Sequence, residues 1–355
     1  MLALQKCIPG QGADLINLAF VDVPAADEII VSVEACGICG SDLHAWSGDS
    51  AYDFMRLYLP LTLGHEFAGT VLAIGADAAA GPDALRPGDN IVCLPTVTCG
   101  DCVACHEGHY SACANRRVIG LHRDGGFAAK VRIPAANALR LPAGLAHDIA
   151  ALAEPLAVSI NAVNTSGLVS SEGNERGRRR VLVLGPGPIG FGIALVAASR
   201  GADVMLAGFR DGPRLTLARE LGIARTVDLA DETLTDAVAR HFGQGPDIVL
   251  EATGRPSSVA EGLAILRSEG VLVVVGIHDA PLTLDINQLV RGKKQMRGSH
   301  DSTRACFQEA VARLAAEPDR YGRMITHRLP LERASEGFAL ARDRSALKVM
   351  LHPAS

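Results

Sequence analysis

Four cysteines, Cys99, Cys102, Cys105 and Cys113, follow Cys39 and the tripeptide Gly64-His65-Glu66 within the first third of the chain. These are more thiol, imidazole and carboxylate donors than one ion can accept, so they divide into two sets. The C-x2-C-x2-C-x7-C cluster can close an all-sulfur tetrahedron, the arrangement of a structural zinc site with no open position. Cys39 and His65 form a partial, mixed set, and zinc does chemistry where a position stays open. A chain carrying both predicts an enzyme whose metal handles an oxygen-bearing substrate.

The segments that must position these donors are short β stretches broken by Gly, Pro and Asp. Residues 29–33, 69–74 and 90–94 are examples, the last preceded by the turn Arg86-Pro87-Gly88-Asp89. Residues 1–153 therefore predict a compact, mainly β domain with the metal loops inserted. The character changes at Glu154. A helical stretch over 152–163 leads through a polar, exposed connection at 170–177 to an apolar strand at 181–184. Further apolar strands at 204–206, 247–251 and 271–275 alternate with helical patterns such as 214–221 and 257–266. Apolar strands alternating with helices predict a parallel sheet covered on both faces, an α/β doubly wound domain over 154–290. Residues 291–355 are expected to return to the first domain.

The turn after strand 181–184 reads Gly185-Pro186-Gly187-Pro188-Ile189-Gly190 and opens a helix. G-x-G-x-x-G gains its meaning from that strand–turn–helix context. The first Gly makes the turn, the second admits a pyrophosphate to the backbone, and the third lets helix pack on strand. The helix N-terminus then offers N–H groups to the phosphates. An NAD site needs an acid about 20 residues past the first Gly. Here Ala207-Gly208-Phe209-Arg210 stands there instead. Gly208 removes a repelling charge and Arg210 can grip a 2′-phosphate, so NADP is weakly favoured over NAD. Asp211, one residue later, is the competing ribose acceptor.

Composition narrows the partners. A formal charge of -5 with no basic block argues against nucleic acid, and no apolar run is long enough to span a bilayer. A cytoplasmic location is expected from the lack of a signal-type start and from cysteine spacing that suits metal rather than disulfides. Cys7, Cys36, Cys93 and Cys306 are expected as buried small hydrophobes.

Taken together, the Gly-rich turn, the cysteine quartet, Gly64-His65-Glu66, Cys36-Gly37-Ile38-Cys39-Gly40-Ser41-Asp42-Leu43-His44 and Ala153-Glu154-Pro155-Leu156-Ala157 resemble the zinc-dependent medium-chain alcohol dehydrogenases. The resemblance covers nearly the whole chain and is closest to the polyol (sorbitol-type) and threonine dehydrogenase branch. It implies a GroES-like catalytic domain beside a Rossmann domain, with one catalytic and one structural zinc. By it, Cys39, His65 and a carboxylate, Glu66 or Glu154, hold the catalytic zinc, and Cys99, Cys102, Cys105 and Cys113 hold the structural one.

The resemblance assigns Ser41 to the substrate oxygen, His44 to the far end of a proton relay, and Asp42 to orienting the ligand His. Zinc lowers the pKa of water it binds from about 15.7 to roughly 7, and an alcohol would shift the same way. Hydride then passes between a secondary alcohol, a polyol or sugar alcohol, and the nicotinamide, giving the ketone. Trp46 and the 52–56 loop are expected at the substrate cleft. The alternatives are threonine-type amino-alcohol oxidation and a non-catalytic zinc- or nucleotide-binding sensor. The family further implies a homo-oligomer, tetramer or dimer.

Overall fold

The structure, a computed structural model, describes residues 1–81, 84–169, 178–278 and 280–353. The polar connection expected at 170–177 lies outside the described residues. The chain forms two compact units, Met1–Glu154 with Phe307–Ser355, and Pro155–Cys306.

The first unit is built on a sheet that, among the described residues, has seven strands. Its path runs Ala138–Arg140, Asn90–Cys93, Glu66–Ile74, Glu28–Gly37, Lys348–His352, Ile325–Pro330, with Lys130–Pro134 also paired to Glu28–Gly37. Most of Glu28–Gly37 is buried, and Ile29, Val31 and Val33 on one face join an apolar core with Phe67, Ile91, Phe127 and Leu351. Full burial of each such side chain contributes about 1.5–3 kcal/mol. The strand Lys348–His352 lies between Glu28–Gly37 and Ile325–Pro330, so the C-terminal segment supplies an interior strand, next to the edge.

The second unit carries a parallel sheet of six strands, among the described residues, with helices between them. The spatial order is Arg225–Asp228, Asp203–Gly208, Arg180–Leu184, Ile248–Glu251, Val271–Val274, Gln295–Gly298. Numbered along the chain this is 3-2-1-4-5-6, the order of a Rossmann sheet, whose ligands bind at the carboxyl ends of the strands where the order reverses. The interior strands are the apolar ones, as their burial on both faces demands.

The return to the first unit falls at Phe307 rather than at 291. Gln295–Gly298 is the sixth strand, in parallel register with Val271–Val274. It sits on the edge, where Gln295, Met296 and Gly298 are exposed, so it lacks the apolar run that marks its neighbours.

Candidate active site and nucleotide turn

Two strand pairings bring the mixed donor set together. Gly37 is paired with Glu66 on one side and with Met350 on the other. A Cβ at Gly37 would collide with the Glu66 carboxylate, so glycine there lets that side chain fold across the strand. His65 immediately precedes Glu66 and is set by Gly64, whose φ of +95° is one that side chains rarely adopt. Gly64 is pinned in turn by the hydrogen bond from Gly126 N to its carbonyl, 2.8 Å. Cys39 sits at the entry to the helix Gly40–Ser47.

The donor atoms of Cys39, His65 and Glu66 lie within 4.8 Å of one another. Asp42, fully buried, organises the first two. Its Oδ2 accepts from Cys39 N at 2.9 Å, and its Oδ1 lies 3.6 Å from His65 Nδ1. Among the described residues neither Oδ1 nor Nδ1 has a hydrogen-bond partner, so the Asp42 charge faces the Nδ1 edge and leaves Nε2 for other work. Nε2 is 3.1 Å from Ser41 Oγ. This S, N, O donor set, with one ligand edge of the imidazole already held, fits zinc.

Glu154 lies in the first turn of the helix Ala153–Thr165 and is buried. It falls outside the 4.8 Å group, yet its charge acts on His65. Burial works to lower the His65 pKa, but Asp42, Glu154 and Glu66 outweigh it and hold it above its usual value. The Cys39 thiol is pushed up to about 12, by burial first and then by the Glu66 charge. A cation is what this cluster of acids and thiol calls for.

One cation is already present and sequence reasoning missed it. Lys348, fully buried, donates from Nζ to both Glu66 oxygens, at 2.8 and 2.6 Å, and to Ile38 O at 2.9 Å. The available signal was a lone charge in the apolar strand Lys348–His352. Outward from Ser41, the Tyr52 phenol interacts with the Ser41 side chain and stacks on His44, centroids 5.6 Å apart and planes within 3°. Burial first, then Cys39 and Asp42, push the Tyr52 pKa up. His44 Nδ1 is 2.7 Å from Asp49 Oδ2, on the partly exposed side of the group. Trp46, by contrast, packs against the core of the unit beside Phe338.

The four remaining ligand candidates also converge. The sulfurs of Cys99, Cys102, Cys105 and Cys113 lie within 4.8 Å of one another, with Cys102–Cys105 at 3.5 Å and Cys99–Cys113 at 3.6 Å. A tetrahedron of Zn–S bonds of about 2.3 Å has sulfur–sulfur edges of about 3.8 Å. The quartet is therefore shaped for zinc, and all nine cysteines are unbridged. Backbone N–H groups of Asp101 and Cys102 bring the Cys99 thiol down to about 6, while burial raises Cys105 to about 11. His106 and His109 are exposed. Of the leftover thiols, Cys36, Cys93 and Cys306 are buried, whereas Cys7 is only half-buried, close to Gln5 O.

In the second unit the glycines occupy the turn before the helix Pro188–Ser199. Gly185 has φ +99°, and a Cβ there would press on Thr253 and Ala252. A Cβ at Gly190 would strike Gly185 O, the close helix–strand contact. Gly187 faces open space, and with Pro188 and Ile189 it presents the helix N-terminus there. Gly208 ends its strand against Pro186 and Asp211, and Arg210 follows, exposed, at φ +54°. Asp228 fixes this loop by accepting from Arg210 N (2.7 Å) and Asp211 N (3.0 Å). Asp211 is buried, accepts from Phe209 N at 3.1 Å and lies 3.8 Å from Arg214.

Residues 25–143 match the alcohol dehydrogenase GroES-like domain and residues 147–352 the glucose dehydrogenase C-terminus. The chain is 32% identical over 358 residues to an L-threonine 3-dehydrogenase of Bacillus subtilis (strain 168), covering 99% of each. The chain belongs to the zinc-type medium-chain alcohol dehydrogenase family. It is 29% identical over 357 residues to a sorbitol dehydrogenase of Halalkalibacterium halodurans, again covering 99% of each. Among solved structures, a putative zinc-binding dehydrogenase of Sinorhizobium meliloti 1021 bound to NADP shares 29% identity and a TM-score of 0.84, with 99% of each chain covered. This dehydrogenase is thus an oxidoreductase of alcohols that uses zinc and a nicotinamide cofactor. Among the described residues no helix is long and apolar enough to cross a membrane.

Proposed function

We propose that this dehydrogenase oxidises a secondary hydroxyl of a polyol to the ketone, with NADP as the preferred cofactor. Cys39, His65 and Glu154 hold the catalytic zinc, and the cysteine quartet holds a structural one. The supporting observation is charge balance. Glu66 is neutralised by Lys348, which leaves the Cys39 thiolate and the Glu154 carboxylate to balance a divalent cation.

Zinc bound there supplies a Lewis acid that polarises the substrate oxygen. The chain does the rest. Ser41 Oγ accepts the hydroxyl proton as its own proton passes outward to the Tyr52 hydroxyl and on to solvent, on the partly exposed side where His44 stands paired with Asp49. Loss of that proton lets the carbinol carbon release hydride to the nicotinamide.

NADP preference rests on Arg210 and on the inward turn of Asp211, which removes the competing ribose acceptor. Similarity to a sorbitol dehydrogenase favours a polyol. Threonine-type oxidation is the second reading, favoured by the relative of higher identity. The test is reduced-nicotinamide formation across polyols, simple secondary alcohols and L-threonine with each cofactor. Turnover lost on chelation and regained with zinc, greatest on a polyol with NADP, is expected. Turnover on threonine alone, or activity indifferent to chelation, would overturn it.

A further inference from the structure

The end of the strand Ile248–Glu251 carries a cluster of hydrogen bonds that the chemistry above does not use. Glu251 is paired in register with Leu184, the residue before the Gly185 turn, so it stands where the strand order reverses. Its side chain is fully buried. Oε1 accepts from Thr253 N and Thr253 Oγ1, both at 2.6 Å, and from Gly254 N at 2.9 Å. Oε2 accepts from His278 Nε2 at 3.2 Å. The Glu251 carbonyl accepts from Val275 N at 2.9 Å and from Gly276 N at 3.2 Å. One residue therefore ties together the loops that leave Ile248–Glu251 and Val271–Val274.

These two loops are pressed on each other. A Cβ at Gly276 would strike Gly254 N, and one at Gly254 would strike Ile277 O. Among the described residues His278 Nδ1 is buried without a partner. An orphaned buried nitrogen is unfavourable, which leaves the bond from Nε2 to Glu251 as the one that anchors the ring. Two side chains stand outward from this tie. Thr253 is exposed beside Gly185, and Ile277, next to His278, is 42% exposed.

Their place in the sheet points to a ligand. A dinucleotide crosses the carboxyl ends of such a sheet with one mononucleotide half on each side of the point where the order reverses. The glycine turn serves the pyrophosphate, and Arg210, after the strand Asp203–Gly208, stands on the adenosine side. Ile248–Glu251 and Val271–Val274 lie on the other side, which leaves the nicotinamide half to the loops of Thr253 and Ile277.

We propose that His278 is a positioning residue for the nicotinamide half of the cofactor. Held by Glu251, it fixes residues 275–278 so that Ile277 offers an apolar face to the nicotinamide ring. The inference rests on the use of a nicotinamide cofactor and is independent of the polyol and NADP readings.

The test is binding to the zinc-loaded enzyme without alcohol. NADPH and NADH are titrated by nicotinamide fluorescence. Their fragments 2′-phospho-ADP-ribose and ADP-ribose, which lack the nicotinamide, are titrated by calorimetry. His278→Phe keeps a ring and removes the donor, whereas His278→Gln keeps an N–H at the reach of Nε2. His278→Phe should weaken the preferred reduced cofactor by about tenfold, the scale of one lost charge-assisted hydrogen bond. The matching fragment should stay within about twofold, and His278→Gln should recover most of the loss.

Ile277→Ser changes an exposed position and keeps the prediction readable if His278→Phe fails to fold. It should weaken the reduced cofactor by about threefold and spare the fragment. Equal weakening of cofactor and fragment would make the Glu251–His278 bond a structural tie only and overturn the proposal. Unchanged cofactor affinity in His278→Phe, or in Ile277→Ser where that variant stands alone, would overturn it too.

Discussion

The Lys348 ammonium lies 2.6 and 2.8 Å from the two oxygens of Glu66, a residue 282 positions earlier, and both side chains are about 1% exposed. Burial works to lower the Lys348 pKa, but Glu66 and Cys39 outweigh it and hold it above its usual value. Breaking a buried pair from one side leaves an uncompensated charge and costs about 3–5 kcal/mol. Lys348→Met should lower the denaturant midpoint accordingly, with Glu66→Gln in the same chain recovering much of the loss. An unchanged midpoint in the single variant would show that the pair is dispensable.

The metal assignment separates by stoichiometry. Cys39→Ser should retain one zinc per chain, and Cys105→Ser should destabilise the quartet, because structural zinc binding is coupled to folding. Glu154→Gln should weaken the first zinc more than Glu66→Gln does. Elemental analysis after dialysis against a weak chelator reads both, and the opposite ranking would make Glu66 the ligand.

Ser41→Ala removes the hydroxyl that lies 3.1 Å from His65 Nε2. Positioned proton transfer is worth about 10²–10⁴-fold. A fall of that order in kcat with zinc content intact is expected, and Tyr52→Phe should give a smaller fall. Full activity of Ser41→Ala with zinc bound would remove Ser41 from the proton path.

Cofactor choice is read at Arg210, whose φ of +54° makes asparagine the mildest replacement. Arg210→Asn should lower kcat/KM for NADP relative to NAD by about tenfold, the scale of one lost charge-assisted contact. A ratio unmoved by the change would leave Arg210 a solvated loop residue.

Acid stability is set in part at Asp247. Burial opposes ionisation, but hydrogen bonds from Arg180 and Arg267 bring its pKa from 3.8 down to about 2. A carboxyl depressed in the folded state contributes stability that is present above its unfolded pKa and lost as pH falls. Thermal midpoints should therefore drop between about pH 4 and pH 2, and Asp247→Asn should flatten that part of the profile. A variant with the same slope there would place the acid sensitivity elsewhere.

Much of the architecture was legible because burial leaves a pattern. Strands Arg180–Leu184, Ile248–Glu251 and Val271–Val274 lie inside the sheet and read as apolar runs. Gln295–Gly298 lies on its edge, has no such constraint and was passed over. The two clusters of candidate donors were legible by spacing, since the cysteine quartet spans 15 residues and His65 adjoins Glu66, and the atoms of each cluster lie within 4.8 Å of one another. Lys348 was not, because strand register gives it its surroundings and register does not follow from local spacing. The Cys7 expectation failed because the segment after Lys6 runs along the surface.

The strand Lys348–His352 sits in the interior of a sheet whose other members begin at residue 28. During synthesis the first unit therefore cannot close until Lys348–His352 has been made, after the whole of Pro155–Cys306. The nucleotide unit is free to fold first, and the Glu66 carboxylate waits at the ribosome, solvated, for a counter-ion that arrives almost 300 residues later.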